Sequence, residues 1–163
     1  MMKKDYTGRE KNAELLPLLR ILCNCYSTGY FDELFPHMAE DVVMESMWVL
    51  QPNVGRSAVE DYFQGKGETL RKHDCCPDCF IVQLVGSLNS IDADVHLNGG
   101  APQRAQFGLM YPEGKLCMLM RQQSDDEVIE VLVDLTLDED NNISRIDLCE
   151  PTLFNYTQPY EAY

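Results

Sequence analysis

The stretch TGYFDELFPHMAEDVVMES, residues 28–46, with GRSAVEDYF, residues 55–63, sets the order of elements for the whole chain. Upstream of it, Leu15, Leu18 or Leu19, Leu22 and Tyr26 fall at three-to-four spacing, which predicts a helix over 12–28 burying one stripe. Pro17 intrudes in its first turns and places the regular start near itself, and Gly29 ends it. Phe31 to Ala39 reads as a second, short helix with Asp32 and Glu33 near its positive end. Val42 to Leu50 is strand-like, and Gln51-Pro52-Asn53-Val54-Gly55 breaks it. Ser57, with Glu60 three residues on, has the capping-box pattern of a third helix. Val59, Tyr62, Phe63 and Leu70 form that helix's apolar face, with Gly65 and Gly67 as points of fraying or kinking.

After His73 the pattern changes to strand and turn. Residues 80–88, 91–97, 104–111, 116–122, 128–137 and 143–149 are the expected strands. Asn98-Gly99, Pro112-Glu113-Gly114 and Asp140-Asn141-Asn142 lie between them as turns. Helices followed by successive hairpins imply an α+β domain with an antiparallel sheet covered on one side. No repeat or linker divides the chain, so 1–163 reads as one domain, with 1–9 a loose leader and 154–163 an aromatic tail.

Composition narrows the classes. The chain is 45% hydrophobic and has 27 acidic against 13 basic side chains, a formal charge of -14. Such a surface repels phosphate backbones and anionic membranes, so neither nucleic acid nor membrane is expected as a partner. No apolar stretch follows Lys3 and Lys4, so no signal peptide is expected. Seven cysteines then read as reduced thiols in a cytoplasmic protein.

The quoted stretches, with DLTLDEDNNISRID at 134–147, resemble the nuclear transport factor 2-like superfamily, also called SnoaL-like or ketosteroid-isomerase-like. The resemblance rests on a helix ending in a small residue and Gly, an Ala-acid-acid step before the first strand, and a Gly-x-x-x-Val-x-x-Tyr helix. It implies a cystatin-like α+β cone: a curved antiparallel or mixed sheet wrapped around three N-terminal helices, with a pocket inside. The superfamily includes isomerases, dehydratases, cyclases, epoxide hydrolases and many non-enzymatic binding modules, so fold alone does not choose a function.

Ketosteroid-isomerase chemistry needs a carboxylate base and an oxyanion hole made by a tyrosine and a protonated acid. Matching the motifs puts Ser46 at the base position, Leu22 at the tyrosine position and Val133 at the acid position. Strand alternation supports that register. Ile129, Val131, Val133, Leu135 and Leu137 form a wholly apolar face, expected to be concave, opposite a mixed face of Val128, Glu130, Leu132, Asp134 and Thr136. That isomerase chemistry is therefore not expected.

Other residues could still carry chemistry. Glu150 follows Ile146 and Leu148 on one strand face, and a lone carboxylate in an apolar cone would act as general acid or base; a solvated rim position paired with Arg121 or Arg145 is the alternative. Trp48 shares the face of Ser46 and Met44, and Tyr26 and Tyr62 lie on helical apolar faces, so all can line a ligand or simply fill the core. His73 follows the third helix, the region from which some dehydratases of the superfamily draw a histidine, with Tyr26 and Asp32 as candidate partners. The catalytic candidates are thus His73, Glu150 and Tyr26. The ligand-lining candidates are Trp48, Tyr62, Ser46, Val133, Ile146 and Leu148.

His73-Asp74-Cys75-Cys76-Pro77-Asp78-Cys79 carries a Cys-x-x-Cys, yet it precedes a strand rather than a helix and lacks a second pair, so a reduced loop outranks a metal or redox site. No cofactor motif is present and none is expected. Two classes remain: a domain binding a small hydrophobic molecule in its cone, with cofactor-independent lyase or isomerase chemistry, or a non-catalytic module forming a homodimer through the outer sheet face. The tail, with Phe154, Tyr156, Tyr160 and Tyr163, is too aromatic for a solvated segment and is expected to pack. Limited proteolysis of folded protein should leave 154–163 attached; rapid trimming would contradict it.

Overall fold

The computed structural model describes residues 4–74, 76–84, 94–95, 103–104, 114–124, 126–151 and 161–162. Two α-helices, α1 (Asn12–Thr28) and α2 (Arg56–His73), pack on one face of a mixed sheet. Its strands are β1 (Asp5–Tyr6), β2 (Met38–Ser46), β3 (Val49–Val54), β4 (Asp78–Gln83), β7 (Leu116–Ser124), β8 (Glu127–Asp138), β9 (Ile143–Cys149) and β10 (Glu161–Ala162). Two short strands apart from it, β5 (Asp94–Val95) and β6 (Gln103–Arg104), pair with each other. The order across the main sheet is β10-β4-β7-β8-β9-β2-β3, with β1 added against the end of β8. Every pairing is antiparallel except β2 with β9. Register shifts in β2 and between Thr136 and Leu137 add local twist, which helps a sheet curve around helices. This is an α+β cone.

Several local expectations are corrected. Helix α1 starts at Asn12, ahead of Pro17, which it absorbs; burial of Leu15, Leu18 and Leu19 just around it offsets the missing N–H. The second helix does not form. Residues 32–34 turn and only Phe35–His37 make a 3-10 turn, because Pro36 lacks the N–H that would continue a helix from Asp32. The sheet therefore wraps two helices, not three, and strand begins at Met38. Gln51-Pro52-Asn53 does not break the strand but forms part of β3, an edge strand where a proline is tolerated. The N-cap of α2 is Gly55, at φ 93°, with no side-chain cap; Glu60 pairs with Arg56 at 3.0 Å instead of reaching back to Ser57. The leader is not wholly loose, since Asp5 and Tyr6 pair with Asp138 and Leu137. Most of the strands expected at 85–113, and residues 154–160 of the tail, lie outside the described residues; Glu161 and Ala162 pair with Ile81 and Phe80 at the sheet edge.

The apolar core lies between helices and sheet. Leu19, Leu22 and Tyr26 of α1 and Val59, Phe63 and Leu70 of α2 meet Met44, Ile81, Met118, Val133, Leu135 and Ile146. An aromatic group anchors one end: Phe31 stacks on Phe63 at 4.8 Å and meets Tyr26 edge-on at 4.9 Å. Such pairs add about 0.5–1.5 kcal/mol each beyond their buried area.

The helices cross at a glycine junction. Gly29, at φ 80°, caps α1 by donating its N–H to the Cys25 carbonyl at 2.8 Å. Its own carbonyl accepts from the Arg71 guanidinium and lies where a Cβ at Gly67 would collide with it. On helix propensity alone, Gly67→Ala should stabilise by about 1 kcal/mol. The collision reverses the sign: we expect a net loss of about 1–2 kcal/mol, read as a lower urea midpoint. A raised midpoint would refute this close crossing.

Candidate functional site

Strand alternation sorts side chains onto two faces, and chemistry divides with them. On the concave face stand Met38, Val42 and Met44 of β2, Cys79 and Ile81 of β4, Leu116, Met118 and Met120 of β7, Val133, Leu135 and Leu137 of β8, and Ile143, Ile146 and Leu148 of β9. Leu22, Met44, Val133 and Ile146 retain 0–3% of their accessible area, so they are packed closely among their neighbours. Among the described residues this interior holds no buried carboxylate, imidazole or ammonium.

Its polar groups are phenols and thiols held neutral. Burial pushes the Tyr26 hydroxyl well above the usual phenol range, reinforced by nearby Tyr62, Cys79 and Cys25. Tyr62 is raised by burial too. The Cys25 thiol is pushed up to about 12, by burial first and then by Glu33. None of these can accept a proton near neutral pH, and a thiol that stays protonated is a poor nucleophile.

The buried charge sits on the opposite, convex face. Cross-strand register aligns Glu45 with Asp147, and Asp147 with Asp134. Lys115, wholly buried, places its Nζ 2.6 Å from Asp134 Oδ1. Cys117 Sγ donates to the same oxygen at 3.5 Å, and the Cys117 thiol is raised by burial and by Asp134. Arg145 grips Asp147 with two bonds of 3.0 Å and reaches Glu45 at 3.0 Å. Leu132, Cys149, Val82, Leu84 and Leu119 surround this row as a second apolar layer. The network was not legible in the sequence, because it depends on the register of β2, β9, β8 and β7.

The sequence candidates do not converge. Tyr26 is buried inside the aromatic group, while His73 is exposed in the last turn of α2 and makes no hydrogen bond to Tyr26 or Asp32. Asp32 instead accepts from Gln64 at 3.0 Å. Glu150 lies half-buried at the rim, its N–H 3.3 Å from Met47 Sδ; the arginines expected beside it pair elsewhere, Arg121 with Glu130 and Arg145 as above. Val133, Ile146 and Leu148 face inward as expected, but as core. Tyr62 packs on the edge of that core. Ser46 Oγ accepts the Trp48 N–H at 3.3 Å and shapes the β2–β3 turn. Trp48 itself is 54% exposed in that turn and lies outside the buried core. Cys79 is buried and Cys76 exposed, so the Cys-x-x-Cys thiols occupy different environments; Cys75 lies outside the described residues. Among the described residues no group of three or more His, Cys, Asp or Glu is placed to hold a metal.

On β8, most of the outer residues expected at a homodimer interface are withdrawn from solvent. Leu132, Asp134 and Thr136 are already buried within the chain, and only Val128 at the start of β8 is open. Exposed apolar side chains include Met47, Trp48, Val49 and Leu50 of the β2–β3 hairpin and Val128 and Ile129 toward one end of the sheet, with Val54 farther along β3 and Tyr30 after α1. A separate open cleft of about 890 Å³ lies at the other end, lined by Asp5, Glu40, Asp41, Arg56, Asp138 and Arg145 among others. No helix among the described residues is long and apolar enough to cross a membrane.

No family model and no curated protein matches the sequence. Solved structures that resemble it include SnoaL-like and nuclear transport factor 2-like proteins, some of them described as polyketide cyclase or ketosteroid isomerase. A SnoaL-like protein of unknown function from Burkholderia thailandensis is 13% identical, with a TM-score of 0.48 over 90% of this chain and 96% of that one. A nuclear transport factor 2-like protein from Anabaena variabilis is 11% identical, with a TM-score of 0.45 over 94% and 96%. A de novo designed protein with a curved β-sheet reaches 0.50 at 11% identity, over 85% and 87%. The likeness is one of fold.

Asp147 offers a test of the convex network. Burial raises its pKa to about 6, outweighing the bonds from Arg145 that lower it. Its contribution to stability is therefore full below the unfolded value near 4 and lost as pH rises through 6. Urea unfolding from pH 4 to 7 should show the native chain losing roughly 2–3 kcal/mol more than Asp147→Asn. Parallel profiles would contradict the assignment.

Proposed function

We propose that this chain is a non-catalytic binding module whose cone is structural core and whose working surface lies outside it. One observation carries the reading: the interior formed by the described residues is apolar, closed to water at its centre, and holds no group able to take a proton at neutral pH. Lyase or isomerase chemistry on a small hydrophobic molecule would need convergent polar groups beside a cavity. Tyr26 and Tyr62 could donate a hydrogen bond, but a donor without a base does not complete such a reaction. The fold is compatible with either class, so the choice rests on the site.

Methyl-labelled protein followed by NMR tests this directly. Titration with a panel of apolar, oxygenated small molecules should leave the methyl signals of Val133, Ile146 and Leu148 unmoved. Saturable shifts of those interior methyls would overturn the proposal and restore the ligand-binding cone.

A further inference from the structure

Resting on the docking reading, we infer that the β2–β3 hairpin and the start of β8 form one docking surface for a basic, amphipathic protein segment. Four consecutive side chains, Met47 to Leu50, are exposed, with Leu50 at 99%. A run of this kind on a folded surface lowers solubility and is kept where it serves an interaction. Val54 extends it along β3, and Val128 and Ile129 add a second cluster.

Both clusters lie at the same end of the sheet. Strands β2 and β9 run parallel and finish there, and β8, antiparallel to β9, begins there. The Met47 N–H donates to the Leu148 carbonyl at 3.0 Å, which ties the hairpin to the end of β9. From β3 to β8 is three strand spacings, about 14 Å, and Val128 lies five residues, about 17 Å, beyond the level of Ser46 along the strands, a diagonal of roughly 22 Å that about fifteen residues of helix would cover.

Charge selects the partner. Asp126 and Glu127 directly precede Val128 and Ile129, whereas Glu130 and Glu45 are paired with Arg121 and Arg145. With a formal charge of -14 on the chain, a second copy or an anionic membrane meets repulsion, whereas lysines flanking apolar residues gain attraction. Edge-strand pairing is opposed as well, since Pro52 sits in β3 at the open edge. Recognition therefore runs through side chains on the hairpin.

Trp48, the only tryptophan, reports directly on this surface. A synthetic amphipathic helix of leucine and lysine should shift Trp48 emission to the blue saturably, and more weakly as salt is raised. Leu50→Gln, at a position that makes no core contact, should weaken binding about tenfold. No binding, unchanged affinity in Leu50→Gln, or equal binding of a leucine–glutamate peptide would each overturn the inference. So would a blue shift on concentrating the protein alone with sedimentation as a dimer, or a blue shift with phosphatidylcholine vesicles. Any of these results with silent interior methyls leaves the non-catalytic reading standing, whereas moving methyls would remove its basis.

Discussion

Over residues 132–138, strand β8 is buried on both faces, and the rest of the structure is arranged to satisfy both. Its inward side chains, Val133, Leu135 and Leu137, need an apolar partner and receive the helices. Its outward ones, Leu132, Asp134 and Thr136, are equally withdrawn from water, so the carboxylate of Asp134 needs a counter-charge. Lys115 supplies it from just before β7. A buried pair of this kind is weak evidence for stability, but removing one partner strands the other, typically at a cost of about 3–5 kcal/mol. The pair thus constrains how β7 and β8 align, and through β8 the position of β9 and β2.

That arrangement sorts chemistry by face. Among the described residues, the interior contains aliphatic side chains, neutral phenols and protonated thiols. Among the described residues, the buried charged groups Lys115, Asp134 and Asp147 lie on the convex side, in ion pairs that hold them in place. Their positions suit the joining of strands rather than the meeting of a substrate. Exposed apolar area remains at the end of the sheet, on a hairpin that adds nothing to the core.

Much of the fold was legible in the sequence because it depends on local periodicity. The stripe Leu15, Leu19, Leu22, Tyr26 predicts α1, and alternation along 128–137 identifies the concave face down to Val133 and Leu135. Ile129 is the exception, half exposed because it extends past the end of β9. The short helix expected at 31–39 does not form although Asp32 and Glu33 suit the positive end of a helix, because Pro36 limits it to one 3-10 turn. The candidate site was less legible. Trp48 shares a nominal strand face with Met44, but the chain turns directly after Ser46, so alternation no longer applies to it. Glu45, Asp147, Asp134 and Lys115 are far apart in sequence and meet only through inter-strand register, which no local pattern encodes.

The central claim is that the cone is filled core, and Val133 tests it most directly. It stands on the concave face of β8 and is 1% exposed. Unfolding of Val133→Asp should be measured in urea against the native chain. A carboxyl buried there without a partner should cost upwards of about 3–4 kcal/mol or prevent folding. A variant that folds with near-native stability would mean that water and ligands reach the interior, and would contradict the account.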